Sequence, residues 1–271
     1  RKESSAASDV YKRQIHSSAI IHPDSIIDES SVIGPFCIIG KGVNIGPKCK
    51  LHSNVIIKGP TSIGEGNIFY QFSSIGEDTP DKKFKGEDTK LIIGKNNIFR
   101  EGVTIHRGTI QDNGTTQIGS DNLIMAYAHI AHDCVIGNNN TFANNSGLAG
   151  HVKVGNNVTL GGYTLIHQFC NIGDCSFTGM NTTITMDLPA YVKAASHPAR
   201  VVGLNTVGLS RNGISEESIS HLKKAYKLLY RKSLKLEEAL LKIEELNNKY
   251  KDKHLLSFIN SVKISSRGIT R

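Results

Sequence analysis

The sequence predicts a parallel β-helix of six-residue repeats, followed by a small α-helical C-terminal domain. Three observations carry this. A large apolar residue recurs at every sixth position through most of the first two thirds of the chain. Trp is absent, aromatic residues make up only 6%, and Gly (26) is plentiful, which suits many short strands joined by tight turns rather than an aromatic-packed core. From Ser215 onward the apolar spacing becomes helical.

The chain begins with RKESSAASDVYKRQ (1–14), a polar stretch without any period. It is read as a non-family tail, disordered or a sequence scar, and is excluded from the fold. The repeat occupies 15–190. Its sixth positions run from Ile21 through Ile27, Ile33, Ile39, Ile45, Leu51, Ile57, Ile63 and Phe69 to Ile75. They resume at Ile93, Phe99 and Ile105, and again from Ile118 to Ile172, giving 23 positions that are all large and apolar. Neither a helical period of 3.6 nor the plain alternation of a strand explains a strict period of six. If each hexad supplies a strand and a turn, three hexads close a coil and stacked coils bury the sixth-position column. Gly often follows the apolar residue, as at Gly34, Gly94 and Gly137, and is read as supplying the conformational freedom of a corner. Cys37, Cys49, Cys134 and Cys170 each lie four residues after a repeat Ile, where a small side chain packs inside the coil.

Two polar insertions break the register, 77–91 and 108–117, and such loops leave one face of a repeat protein and often carry function. The remainder, 191–271, is read as a linker and a helical domain. Ser215 is the expected N-cap of SEESISHLKKAYKLLYRKS, with acids in the first turn and bases in the last; a second helix and a shorter third near 254–262 follow.

The net charge of +8 admits nucleic acid, anionic lipid or an acidic protein as partner. Nucleic acid is disfavoured, because the bases do not interleave with aromatic residues as a stacking surface requires. No apolar run approaches the ~18 residues that span a bilayer. Five cysteines without a CxxC pair argue against a disulfide framework and a zinc ribbon, and for a reducing compartment.

For chemistry, His132 followed by Asp133 offers an imidazole with a carboxylate to orient it and keep it basic. On the residues alone, the same pair equally suits a structural role on a coil. Several further motifs surround it: IGPFCIIG (33–40), YQFSSIGE (70–77), REGVTIHRGT (100–109), GSDNLIMAYAHIAHDC (119–134), LAGHV (148–152), HQFCNIG (167–173) and AYKLLYR (225–231). Together they resemble the UDP-N-acetylglucosamine O-acyltransferase family, which opens lipid A synthesis in Gram-negative bacteria.

The resemblance implies a left-handed β-helix assembled as a homotrimer, with sites in the clefts between subunits. It implies a cytoplasmic enzyme that moves an (R)-3-hydroxyacyl chain from acyl carrier protein to the sugar 3-hydroxyl, with no metal or organic cofactor. By resemblance His132 is the general base, Asp133 its partner and Gly150 the oxyanion donor. His129, His151, His167 and Gln168 are implied to position substrate. Asp81 and Lys83 match positions that contact the sugar nucleotide, and Asn205 and Arg211 match positions at its uridine diphosphate end. Met180 stands where the family keeps a hydrocarbon ruler, so a short, decanoyl-like donor is expected. The chain departs from the family pattern in two places: Asn212 stands where the family has a second Arg, and an acidic residue near Val207 is missing. Arg211, Lys223, Lys224 and Arg231 are candidates to meet an acidic carrier protein.

Histidines facing a cleft also suit zinc, but their spacing here differs from that of the β-helical carbonic anhydrases. Two other functions stay in view. One is N-acylation of a UDP-amino-sugar, which competition between hydroxyl and amino acceptors distinguishes. The other is a trimeric scaffold without turnover, which tolerates loss of His132.

Overall fold

The computed structural model describes residues 14–271, so that residues 1–13 of the expected tail lie outside the described residues. By its internal contacts the chain divides into two compact units, 1–134 and 135–271.

In the first unit, short parallel strands pair in three series. Ile20 pairs with Ile38 and Ile38 with Ile56, so one coil takes 18 residues, or three hexads. The series continues through Ser74 and Thr104 to His129, its steps lengthened by the two insertions. A second series runs Ile26, Asn44, Ser62, Ile92, Gln117, and a third Val32, Lys50, Ile68, Ile98, Leu123. Parallel pairing needs a long return connection. Here the return is the other two strands of the same coil.

The second unit repeats the rule. Val135 pairs with Lys153 and Lys153 with Asn171; Thr141 with Thr159 and Thr159 with Phe177; Gly147 with Leu165 and Leu165 with Thr183. In the stretch after Pro189, Val192–Ala195 adds one more parallel strand beside Phe177, and Arg200–Leu204 folds back on it antiparallel. Four helices complete this unit: α1 (Thr206–Arg211), α2 (Glu216–Tyr230), α3 (Leu236–Tyr250) and α4 (Lys253–Lys263). Ser215 caps α2, its side chain accepting from the Ser218 N–H, and Asp252 caps α4 through the His254 N–H. Leu222, Leu229, Ile243, Leu255 and Phe258 bury their side chains in this helical layer.

The sixth-position column is the core. Of its 23 residues only Ile21 and Ile27 are half-buried; none of the others is more than 4% exposed. Phe69 and Phe99 stack at 4.8 Å inside it. All five cysteines are free and buried; the Cys37 Sγ–H meets the His52 carbonyl at 2.9 Å, and burial pushes the Cys170 and Cys175 thiols up to about 11. They are packing residues rather than nucleophiles.

Apart from Gly76, which follows Ile75 and has a φ of 75°, the glycines after the apolar position differ from expectation. Left-handed backbone occurs instead three residues after the column, at Phe36, Lys48, Asn54, Phe72, Asp121, Tyr127 and Asp133, nearly all of them not glycine. Gly34 and Gly94 are required by crowding. A Cβ on Gly34 would lie 2.8 Å from the His52 carbonyl carbon of the next coil, and one on Gly94 2.5 Å from the Gly119 oxygen. Stacked coils approach so closely there that only a hydrogen fits.

Candidate active site

His132 and Asp133 sit on the corner that follows the buried Ile130. The corner gives Asp133 a left-handed φ of 58°, and its N–H donates to Thr116 Oγ1 at 2.8 Å, which holds the turn. The Asp133 side chain is 1% exposed and that of His132 16%. His132 Nδ1 lies 2.8 Å from Asp133 Oδ2. A carboxylate can only accept, so Nδ1 carries the proton and donates. The lone pair of the neutral imidazole is then on Nε2, the nitrogen that can act as base.

Thr109, which the sequence did not single out, holds the same carboxylate. Its N–H donates to Oδ1 at 2.8 Å and its hydroxyl to Oδ2 at 2.6 Å. Thr109 stands at the start of the second insertion, 24 residues before Asp133 in the chain and one coil away from it. No local pattern announces the contact.

Two further histidines share this unit. His129 Nδ1 is 2.7 Å from Thr104 Oγ1, its pairing neighbour. The His106 ring meets the His129 ring edge-on at 4.9 Å. Burial, and then the neighbouring imidazoles of His129 and His132, push His106 down to about 4; burial and His132 also lower His129. Both are therefore neutral near pH 7. Next to His106, buried Arg107 donates from Nη1 to the Gly76 carbonyl at 2.6 Å and pairs through Nη2 with Asp78, tying down the start of the first insertion. In that insertion Asp81 accepts the Lys83 N–H at 2.9 Å, a turn that exposes the Lys83 side chain.

In the second unit, Gly150 is buried and its carbonyl accepts the Phe169 N–H at 3.1 Å. His151 takes a left-handed φ of 62° and stacks on Phe169 at 4.4 Å. His167 and Gln168 are exposed, with His167 Nδ1 3.1 Å from the Gln168 carbonyl and 3.4 Å from Arg267. The shorter contact is the one kept, because an Nδ1 that donates to a carbonyl cannot also accept from a guanidinium. Met180 is 80% exposed in the single chain.

Asn205 and Arg211 are brought together. They line a cavity of about 500 Å³ with Phe177, Lys193, Val207 and Asn212, a size within the usual range for small-molecule sites. The Asn205 amide is already engaged: Nδ2 donates to the Cys175 carbonyl at 2.9 Å and Oδ1 accepts the Gly208 N–H at 3.3 Å, capping α1. Arg211, Lys193 and Phe177 are left to meet a ligand with two cations and an aromatic face. Of the four bases considered for a carrier protein, Lys224 is drawn onto Tyr250, 2.8 Å from its hydroxyl, and Arg231 lies over the Tyr226 ring.

A coil of hexads carrying a half-buried His beside a buried Asp fits a hexapeptide-repeat transferase. The bacterial transferase hexapeptide model matches residues 18–52 and 115–150, and the model for domain 2 of UDP-N-acetylglucosamine O-acyltransferase matches 187–270. The acyl-[acyl-carrier-protein]–UDP-N-acetylglucosamine O-acyltransferase of Stutzerimonas stutzeri is 53% identical over 79% of this chain and 82% of its own length. The corresponding solved structures from Moraxella catarrhalis and Acinetobacter baumannii are 46% and 47% identical, with TM-scores of 0.93 and 0.92 over 96% of this chain and 100% of theirs. The chain belongs to the acyl-[acyl-carrier-protein]–UDP-N-acetylglucosamine O-acyltransferase family.

Proposed function

We propose that the protein transfers an (R)-3-hydroxyacyl chain from the thioester of acyl carrier protein to the 3-hydroxyl of UDP-N-acetylglucosamine, the first step of lipid A synthesis. The observation that carries this reading is the 2.8 Å contact between His132 and Asp133 in a chain of this family. His132 Nε2 takes the hydroxyl proton as the oxygen attacks the thioester carbonyl. The tetrahedral oxyanion receives the Gly150 N–H, and its collapse breaks the C–S bond. The proton held on His132 passes to the departing thiolate, so base and acid are the same residue.

Around this step His129, His151, His167 and Gln168 position substrate, and Asp81 and Lys83 meet the sugar nucleotide. The Phe177–Lys193–Arg211 cavity suits a uridine diphosphate, with stacking for the base and cations for the phosphates. The enzyme works as a homotrimer in the cytoplasm of a Gram-negative bacterium. Among the described residues no helix is long and apolar enough to cross a membrane. Met180 shortens the acyl channel from a position that a neighbouring copy covers.

Formation of the 3-O-acylated sugar nucleotide from (R)-3-hydroxyacyl carrier protein, followed by mass, tests the reading. Product with a 3-amino analogue but none with the hydroxyl sugar would replace O-acylation by N-acylation.

A further inference from the structure

The insertion at 108–117 exposes Ile110, Gln111, Asp112 and Asn113 at its tip, yet Thr109 just before them is 2% exposed. That residue grips both oxygens of the Asp133 carboxylate, with its N–H on Oδ1 and its hydroxyl on Oδ2. Oδ2 is also the oxygen that faces His132 Nδ1. We infer that Thr109 is a positioning residue of the acyl transfer, fixing the Asp133 carboxylate so that it holds His132 in the Nδ1–H tautomer and aims Nε2 at the acceptor hydroxyl.

Three features of the chain support this. The first is directional. A carboxylate bound at one oxygen by one imidazole can swing about its Cβ–Cγ bond; donors on both oxygens remove that rotation, and the His–Asp geometry becomes a property of the scaffold. The second is how the loop is built. The Thr109 carbonyl accepts the N–H groups of Asp112 and Gly114 at 3.3 and 3.0 Å, closing the insertion into a compact turn. Gly108 lets the chain pass, since a Cβ there would lie 2.1 Å from the Thr115 nitrogen. The third is its anchoring: the preceding Arg107 is buried and bonded to the Gly76 carbonyl and Asp78, so the insertion is fastened on the side that carries Thr109. The turn thus delivers one hydroxyl and one N–H to a buried carboxylate.

The inference rests on His132 being the base, and the experiment separates the two. Steady-state rates with a 3-hydroxyacyl carrier protein and UDP-N-acetylglucosamine are measured for wild type, Thr109→Val, Thr109→Ser, Asp133→Asn, the Thr109→Val/Asp133→Asn double variant and His132→Ala. Valine keeps the size and the backbone N–H but removes the hydroxyl. Thr109→Val is expected to lower kcat about tenfold, a part of the 10²–10⁴ that a general base supplies, with KM for both substrates unchanged. Thr109→Ser restores most of the rate, and adding Thr109→Val to Asp133→Asn causes no further loss, because there is no longer a carboxylate to position. The inference is overturned by a wild-type kcat in Thr109→Val. It is equally overturned by a loss that serine does not restore, or by one that persists undiminished beside Asp133→Asn, which would mark a purely structural residue. If His132→Ala retains full rate, the base assignment fails first and the role of Thr109 falls with it.

Discussion

His106 and His129 face each other edge to ring at 4.9 Å on neighbouring coils, and both are held neutral. The resemblance assigns a role to His129 and none to His106, yet both rings interact electrostatically with His132. Protonating either ring would set a cation beside the base.

That arrangement makes stability pH-dependent. The folded value of His106, about 4, lies below the ordinary 6.5, so the unfolded chain binds the proton more readily. The contribution is complete above pH 6.5 and is lost as pH falls from there towards 4. Each pH unit between the two values corresponds to about 1.36 kcal/mol, which caps the loss at roughly 3 kcal/mol, and solvent screening of a half-buried ring brings it below that cap. His129 and His254, also lowered, act in the same direction. Urea unfolding at about pH 7, 5.5 and 4.5 should show declining stability across this range, and His106→Gln should flatten the decline. An unchanged slope in that variant would show that other groups titrate.

Crowding between coils predicts an asymmetry among surface positions. Gly94→Ala places a Cβ 2.5 Å from the Gly119 oxygen and should cost about 2 kcal/mol or more. Lys48→Gly, at a left-handed φ of 55°, relieves backbone strain while losing only an exposed ion pair to Glu65, and should fall within about 1 kcal/mol of wild type. Chemical denaturation of both variants checks the contrast; equal effects would mean that the repeat glycines serve conformation after all.

Arg211 projects from α1 into the cavity it shares with Lys193 and Phe177. Charge-assisted hydrogen bonds contribute about 1.5–3 kcal/mol, so Arg211→Ala should raise KM for the sugar nucleotide roughly tenfold or more, with kcat little changed. Higher salt should weaken wild-type binding and affect the variant less. A fall in kcat at constant KM would move Arg211 from nucleotide binding to the chemical step.

Met180 sets donor length in the proposed reaction. Each methylene contributes about 0.8 kcal/mol when buried, so excluding two or more carbons gives a preference of roughly tenfold or greater. Wild type should favour a ten-carbon donor, and Met180→Gly should accept longer chains with little loss on the short one. Equal use of ten- and fourteen-carbon donors by wild type would end the ruler role of this side chain.

The fold was legible because its period is covalent: Ile33, Leu51 and Phe69 recur at fixed spacing and need no long-range information to be recognised. His132 and Asp133 were legible because they are neighbours in sequence. Thr109 and His106 were not, since 24 and 26 residues of intervening coil separate them from Asp133 and His132 and only stacking brings them together. The glycine reading failed for a related reason. Sequence records that Gly34 recurs, but whether it is needed for its φ or for its missing Cβ depends on the coil above it. Asn205 shows the converse case, a family position whose amide is engaged by local capping.

The most direct test of His132 as general base is acyl transfer by wild type and His132→Ala, run side by side with (R)-3-hydroxyacyl carrier protein and UDP-N-acetylglucosamine. The proposed mechanism predicts an acylated sugar from wild type and a loss of roughly 10² or more in kcat for the variant, with substrate binding preserved. A His132→Ala protein that turns over at the wild-type rate would contradict it.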